Sequence, residues 1–456
     1  MKSFTSALCI VAAIATLYGC GTANKSYKYN WDKDLHHRIL ADFTKTEPEV
    51  KDYIRKYIPD VTDEQMRQWE ESKDLECMTI DGEKRYFKNA GPNLFRVNPE
   101  CKAIKDAISP SPEGYERIDA INVPAIINSA KSTGNAIGIP KKMHIRYTLT
   151  VKADAVPDGE MIRCWLPFPR KDQSRQKDVV FIGASEPKYV FSPNGSIHST
   201  LYMEKKAVKG QPTVFWEEFE YVSYGEWDGI APENVRQYSP GAKGSLSKKD
   251  YKYYTSEREA QIKFSPRLRN LADSLTRGID NPYLQAKAIF KWINYNFPWA
   301  SAREYSTIPN IPEYVLDNGH GDCGQVSLLF ITLCRIKGIP AHFESGFMMH
   351  PEGLWNMHDW AEVYFEGIGW VPADQSFGIP TYAKKDSDEE FFFLGGIDSY
   401  RMIVNEDFGK ALFPAKKYPR SETVDFQRGE VEWEGGNLYF PEWKYSMKID
   451  YLDGNV

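Results

Sequence analysis

The chain changes its hydrophobic rhythm along its length. Between residues 26 and 140 apolar positions recur at three- and four-residue intervals, as in "DLHHRILADF", "EPEVKDYIRKYI" and "TDEQMRQWEESK", a period that predicts helices. Thr62 and Gln65 stand at capping-box spacing at the head of the last of these. From 141 to 230 the texture switches to alternation rich in β-formers, in "MHIRYTLTVKA", "MIRCWLPFP", "DVVFIGA" and "TVFWEEFEYVSY", divided by Gly, Pro, Asn and Asp. That stretch predicts a β-sandwich-like domain. After a loop-rich linker, "DGIAPENVRQYSPGAKGS", helical periodicity returns in "PRLRNLADSLTRG" and "NPYLQAKAIFKWINYNF". The fold class is therefore α+β: a helical N-terminal domain over 26–140, a sandwich-like middle domain over 141–230, and a mixed third unit over 250–456 that ends in β structure.

The first residues follow a different pattern. Lys2 precedes an apolar run from Ala7 to Leu17 and then small residues, with no further charge before Lys25, which is the layout of a secretory signal over 1–19. Its end, Leu17-Tyr18-Gly19-Cys20, resembles a bacterial lipoprotein signal, which implies that Cys20 is lipidated and becomes the mature N-terminus. The expectation is a lipid-anchored protein of the bacterial cell envelope, periplasmic or surface-exposed, that meets the membrane through that anchor. A net charge of -6 over 456 residues supplies no basic footprint, so nucleic acid is discounted as a partner.

Of the seven cysteines, Cys9 leaves with the signal and Cys20 carries the lipid, leaving Cys77, Cys101, Cys164, Cys323 and Cys334. An odd number in an oxidising compartment keeps at least one thiol free. Cys77 and Cys101 flank a polar, turn-rich segment; they form either a disulfide or a pair of buried free thiols. Cys323 lies in "GHGDCGQVSLLF", where Asp322 suits an N-cap and Gln325 the third helical position, predicting a helix from Cys323 to Lys337 that stops at Gly338. A cysteine opening an apolar helix is by default packing. Its position in the first turn, however, favours thiolate, whereas the neighbouring Asp322 opposes it unless committed to the cap.

A base is available in "NMHDWAEVYFEGIGWVPADQSFG". Alternation puts His358, Trp360, Glu362 and Tyr364 on one strand face. A three-residue loop Phe365-Glu366-Gly367 would pair Tyr364 with Ile368, Glu362 with Trp370 and His358 with Asp374. A two-residue loop would instead send His358 and Asp374 to opposite faces. In the first register Asp374 orients His358, His358 takes the Cys323 proton, and the thiolate attacks an amide carbonyl to give a thioester. The Cys323 backbone N–H is the natural oxyanion donor; Gln325, Trp299 and Tyr295 are candidates for the second.

Together "GDCG" opening a helix, "GIPAHFESG" after it, and "HDWAEVYFEGIGWVPAD" resemble the transglutaminase-like superfamily, papain-like in fold, over roughly 260–402. The resemblance implies Cys323 as nucleophile, His358 as general base and acid, and Asp374 as its orienter, in an enzyme acting on peptide or glutamine amides. The family commonly has Arg where this chain has His342, a minor departure. "WLPFP" and the tail "GEVEWEGGNLYFPEWKYSMKIDYL" also resemble secreted bacterial members that flank the core with β structure.

A protein or peptide substrate follows, with hydrolysis and transfer sharing one thioester. The glycines around Cys323 read as room for a substrate backbone, and Trp299 and Trp355 as substrate-binding residues. No cofactor is expected. No metal site is expected either, because His320, Cys323, His342, His350 and His358 lack paired ligand spacing. The alternative is a binding or scaffold lipoprotein of the envelope, peptide- or carbohydrate-binding, that keeps the fold without turnover.

Overall fold

The computed structural model describes residues 29–110 and 114–452; the signal segment 1–19 and Cys20 lie outside them. Helices α1 (Trp31–Asp42), α2 (Glu47–Ile54) and α3 (Asp63–Glu71), a hairpin of β1 (Cys77–Ile80) and β2 (Glu83–Tyr86), and helices α4 (Ala90–Val97) and α5 (Pro99–Ile108) enclose a small core of their own. Thr62 caps α3 through the predicted capping box with Gln65. Cys77 and Cys101 both contribute to this core as free thiols, so the disulfide alternative is corrected. Each packs as a small apolar side chain in the shared cluster. Helix α6 (Glu116–Thr133) then leads into the sandwich.

The middle strands are β3 (Ile137–Val151), β4 (Met161–Pro167), β5 (Gln176–Ala184), β6 (Tyr189–Phe191), β7 (Thr200–Lys206) and β8 (Thr213–Trp227). They do not close a sandwich by themselves. Beyond the third unit the chain returns as β14 (Glu430–Trp433), β15 (Gly436–Leu438) and β16 (Trp443–Tyr451). One sheet contains β16 beside β3, followed by β8, which also pairs with β5; the other runs β15-β14-β4-β7-β6. The tail, expected as an extension of the third unit, completes the middle domain. Residues from both regions share a core that includes Tyr147, Trp165, Phe219, Val431 and Trp443. β-Pairing depends on partners far apart in sequence, and alternation alone does not report them.

The third unit holds α7 (Lys248–Tyr254), α8 (Pro266–Leu275), α9 (Pro282–Asn296), α10 (Ile311–Asn318) and α11 (Cys323–Ile336). Its strands are β9 (Ala341–Met349), β10 (Trp355–Phe365), β11 (Gly369–Ala373) and β13 (Arg401–Glu406), in an antiparallel sheet of order β11-β10-β9-β13; the short β12 (Gly396–Ile397) joins β8 instead. Helix α11 is apolar nearly all round, and Leu328, Leu329, Phe330, Ile331 and Leu333 are fully buried. A helix of that kind must be covered on every side. It lies against β10 and β9, with α8, α9 and α10 around it.

Inside the sandwich, β8 alternates Thr213, Phe215, Glu217, Phe219 and Tyr221 inward, and Glu217 is fully buried with neither carboxyl oxygen hydrogen-bonded. Burial pushes its carboxyl well above the usual range. An acid raised in the folded state costs nothing below its unfolded pKa and destabilises progressively as pH rises above it. Glu217→Gln is therefore expected to match the parent near pH 4 and to be more stable at pH 8, by on the order of 2 kcal/mol, in urea unfolding across that range.

Candidate active site

Asp322 caps α11: its side chain accepts from the Gln325 backbone N–H, and the Gln325 side chain accepts from the Asp322 N–H at 3.1 Å. Cys323 is thus the first helical residue, as expected, and is half-buried. The cap also consumes the Gln325 carboxamide oxygen and keeps the residue 1% exposed, so Gln325 is held at the cap. Tyr295 stands 65% exposed on α9. The thiol opens on a cavity of about 220 Å³ whose walls include Trp299, Tyr305, Asp359, Asp425 and Arg428. Trp299 lines the same cavity as the thiol. Trp355 packs against the sandwich core instead, and its neighbours Asn356 and Met357 reach the cavity.

Strand β10 divides the chemistry between its faces. Ala361 and Val363 face α11, while Trp360 packs with Ile403 and donates to Glu344 on the other side. His358 belongs to the face of Trp360, and its Nε2 meets Asp374 Oδ2 at 2.7 Å. The hairpin reaches this by another register than expected: Phe365 pairs with Gly369, Tyr364 with Trp370 and Ala361 with Ala373. The loop is Glu366–Ile368, one residue later than predicted, because Ile368 N–H turns back to the Phe365 carbonyl at 2.9 Å. That shifts partners by two and keeps parity, so His358 and Asp374 share a face and meet diagonally.

The thiol's hydrogen-bond partner is Asp359, from the opposite face: Cys323 Sγ lies 3.5 Å from Asp359 Oδ2. Alternation could have shown this, since Asp359 has the parity of the small residues that must face a packed helix. The glycine beside the thiol also has a different use from the one expected. A Cβ at Gly324 would fall 2.3 Å from the Tyr305 hydroxyl and 2.6 Å from Asp359 Oδ2. The space beside the thiol is filled by those two side chains.

Residues 269–375 match the family model of the transglutaminase-like superfamily. These residues form a transglutaminase-like domain. The YebA protein of Bacillus subtilis is 27% identical over 167 residues, which cover 32% of this chain and 22% of that protein. A Haemophilus influenzae protein is 23% identical over 350 residues, 67% of this chain and 90% of that protein. Among solved structures, a proposed cysteine protease from Cytophaga hutchinsonii aligns at 15% identity and TM-score 0.46, covering 70% of this chain and 93% of that one. The periplasmic domain of TgpA from Pseudomonas aeruginosa aligns at 12% identity and TM-score 0.26, over 51% and 88%.

In this transglutaminase-like domain the two halves of the site differ in charge. Burial, then Asp359 and Asp322, push the Cys323 thiol well above its ordinary range. Asp359 is itself raised, by burial and then by the charges of Asp425 and Asp322, so both groups favour their neutral forms. Burial lowers His358. Burial would raise Asp374 too, but His358, Arg401 and the Phe377 backbone N–H outweigh it and hold the carboxylate below its usual range. Arg401 Nη1 lies 2.9 Å from Asp374 Oδ2, and its Nε donates to Asp398 Oδ2 at 2.7 Å.

Arg401, Asp398, Asp425 and Gln427 were not legible as site residues, since each reaches the site from a segment after the Cys323 and His358–Asp374 motifs. The remaining histidines of the domain are dispersed. His320 faces the Lys73 carbonyl, His342 pairs with Glu362 at 3.1 Å, and His350 meets Asp119 at 3.0 Å.

Removing Arg401 would strand two buried carboxylates. Arg401→Met is expected to lower stability by roughly 3–5 kcal/mol, read as a reduced denaturant midpoint with an unchanged slope.

Proposed function

We propose that the protein is a thiol enzyme that acts on peptide or glutamine amide bonds, with Cys323 as nucleophile, His358 as general base and acid, and Asp374 as the group that orients His358. The observation that carries this reading is the buried His358 Nε2–Asp374 Oδ2 contact at 2.7 Å, in the same domain as a helix-initiating thiol open to a cavity, although His358 itself does not line that cavity. With Nε2 committed to Asp374, Nδ1 is the nitrogen left to take the thiol proton. Because Asp359 and His358 lie on opposite faces of β10, β10 and the start of α11 would have to shift against each other as substrate enters for the thiol to reach the ring. The thiolate adds to the amide carbonyl, the tetrahedral oxyanion is met by the Cys323 backbone N–H, and His358 returns the proton to the departing amine.

Hydrolysis of the resulting thioester by water is slightly favoured over transfer to a second amine. The protein would do this from a lipid anchor at Cys20 in the bacterial cell envelope, facing periplasm or exterior, on protein or peptide substrates. No helix among the described residues is long and apolar enough to cross a membrane.

A specific observation favours a second reading. The thiol rests against a carboxyl group, an arrangement that opposes thiolate and suits a binding lipoprotein whose cavity holds a peptide without turnover. Alkylation of Cys323 by iodoacetamide separates the two. In the enzyme, Asp359→Asn speeds alkylation about tenfold at pH 7, the effect of about one unit in thiol pKa, and His358→Ala slows it. Cys323→Ala abolishes labelling there. If His358→Ala and Asp374→Asn both label at the parent rate, His358 is not the base and the binding reading stands. Amide turnover on a glutamine-containing peptide is expected to fall at least about a hundredfold in His358→Ala.

A further inference from the structure

Behind the His358–Asp374 pair lies a second buried polar cluster. Asp119 of α6, His350 just after β9, and Asp398 just before β13 are 1%, 0% and 0% exposed. One donor atom from each lies within 4.8 Å of the others. His350 Nε2 is 3.0 Å from Asp119 Oδ1 and 3.7 Å from Asp398 Oδ1. Neighbouring donors on a tetrahedral zinc ion with bonds of about 2.0–2.1 Å stand roughly 3.3 Å apart. The three atoms thus have the spread of a ligand set around one small cation.

Two further observations point to a missing partner. Asp119 Oδ2 is buried without any hydrogen bond, and so is the hydroxyl of Tyr382, on which Asp119 and Asp398 exert the strongest charge effects. An unpaired buried carboxylate oxygen is costly. Asp119, Asp374 and Asp398 are three buried carboxylates, and Arg401, paired to the last two, is the guanidinium among them. A divalent cation between Asp119 and Asp398 would add the opposite charge to this group of buried carboxylates.

We propose that Asp119, His350 and Asp398 bind a divalent transition metal, zinc by preference, at a structural site distinct from Cys323. One imidazole with two carboxylates favours zinc over the all-oxygen sets that suit calcium or magnesium. Asp119 can offer both oxygens, and the Tyr382 hydroxyl or a water can complete the shell. The ion would pin α6 to the strand ends of the transglutaminase-like domain. Through Asp398 it would also fix Arg401, which holds Asp374.

The experiment uses the full chain carrying Cys323→Ala, so that the thiol cannot contribute a zinc ligand. After incubation with zinc and gel filtration, bound metal is measured by mass spectrometry and the thermal midpoint is followed with zinc or with a chelator. The expected result is one zinc per chain and a higher midpoint with zinc. Asp119→Asn and His350→Ala are expected to weaken zinc binding at least about tenfold and to remove the midpoint difference. Should His350→Ala not fold, the isosteric Asp119→Asn gives the same readout. The proposal is overturned if the chain retains no zinc and its midpoint is the same in zinc and chelator, or if the variants keep their zinc.

Discussion

Arg401 is the constraint on which the polar half of the site depends. Its guanidinium is 2% exposed, joins Asp374 to Asp398, and lies 4.2 Å from the Phe377 ring and 5.3 Å from that of Trp360. A planar, permanently charged fork can satisfy two carboxylates and pack against aromatic faces at once, which a lysine could not do. Because Asp374 is held as a carboxylate, it can keep accepting from His358 in a place where burial alone would have neutralised it. The position of Arg401 at the start of β13, beside β9, then explains why β13 belongs to this sheet: it delivers a counter-charge to the face where β10 presents its imidazole.

The alternation of β10 separates two environments on its two faces. One face gives Ala361 and Val363 to the apolar surface of α11, and small residues there let the helix approach closely enough to bring its N-terminus to the sheet. The other face gives His358 and Glu362 to buried ion pairs and Trp360 to a hydrogen bond donated to Glu344. Asp359 is the exception, a carboxyl on the apolar face, and it meets the thiol there. Positive partial charge at the start of α11 and acidic neighbours act on Cys323 in opposite senses. In a desolvated position the acids and burial win, so the resting thiol keeps its proton. In the proposed enzyme, whatever enters the cavity must separate the thiol from Asp359.

Much of this was legible in the residues. The boundaries of α11, its capping box and the shared face of His358 and Asp374 follow from local periodicity, and local periodicity is set by chain geometry. The hairpin register was misplaced by one loop residue because Gly367 and Gly369 are equally able to take positive φ, and both do. What was not legible came from distance. Nothing in "GEVEWEGGNLYF" reports that its strand will pair with β4, where Glu430 faces Trp165 and Val431 faces Cys164. Nor do residues 398–401 carry any local sign that they will neutralise, and be neutralised by, groups near 119 and 374.

The return of the tail links the sandwich to the cavity. Between β13 and β14 the chain passes the thiol, and there Gln427 donates from one nitrogen to the carbonyls of Gly346 and His358, each at 2.9 Å, and to Asp359 Oδ1 at 2.8 Å. Arg428 next to it is clasped by Glu304 and Glu422, so this wall is fixed at both ends. It is fixed again by β14, three residues on, which is built into the sandwich sheet. A wall anchored in a different domain cannot move without disturbing that domain's sheet, and the shape of the cavity is therefore set by the sandwich as much as by the transglutaminase-like domain. The sandwich is in this sense part of the site, since the strand it contributes also anchors one side of the space above Cys323.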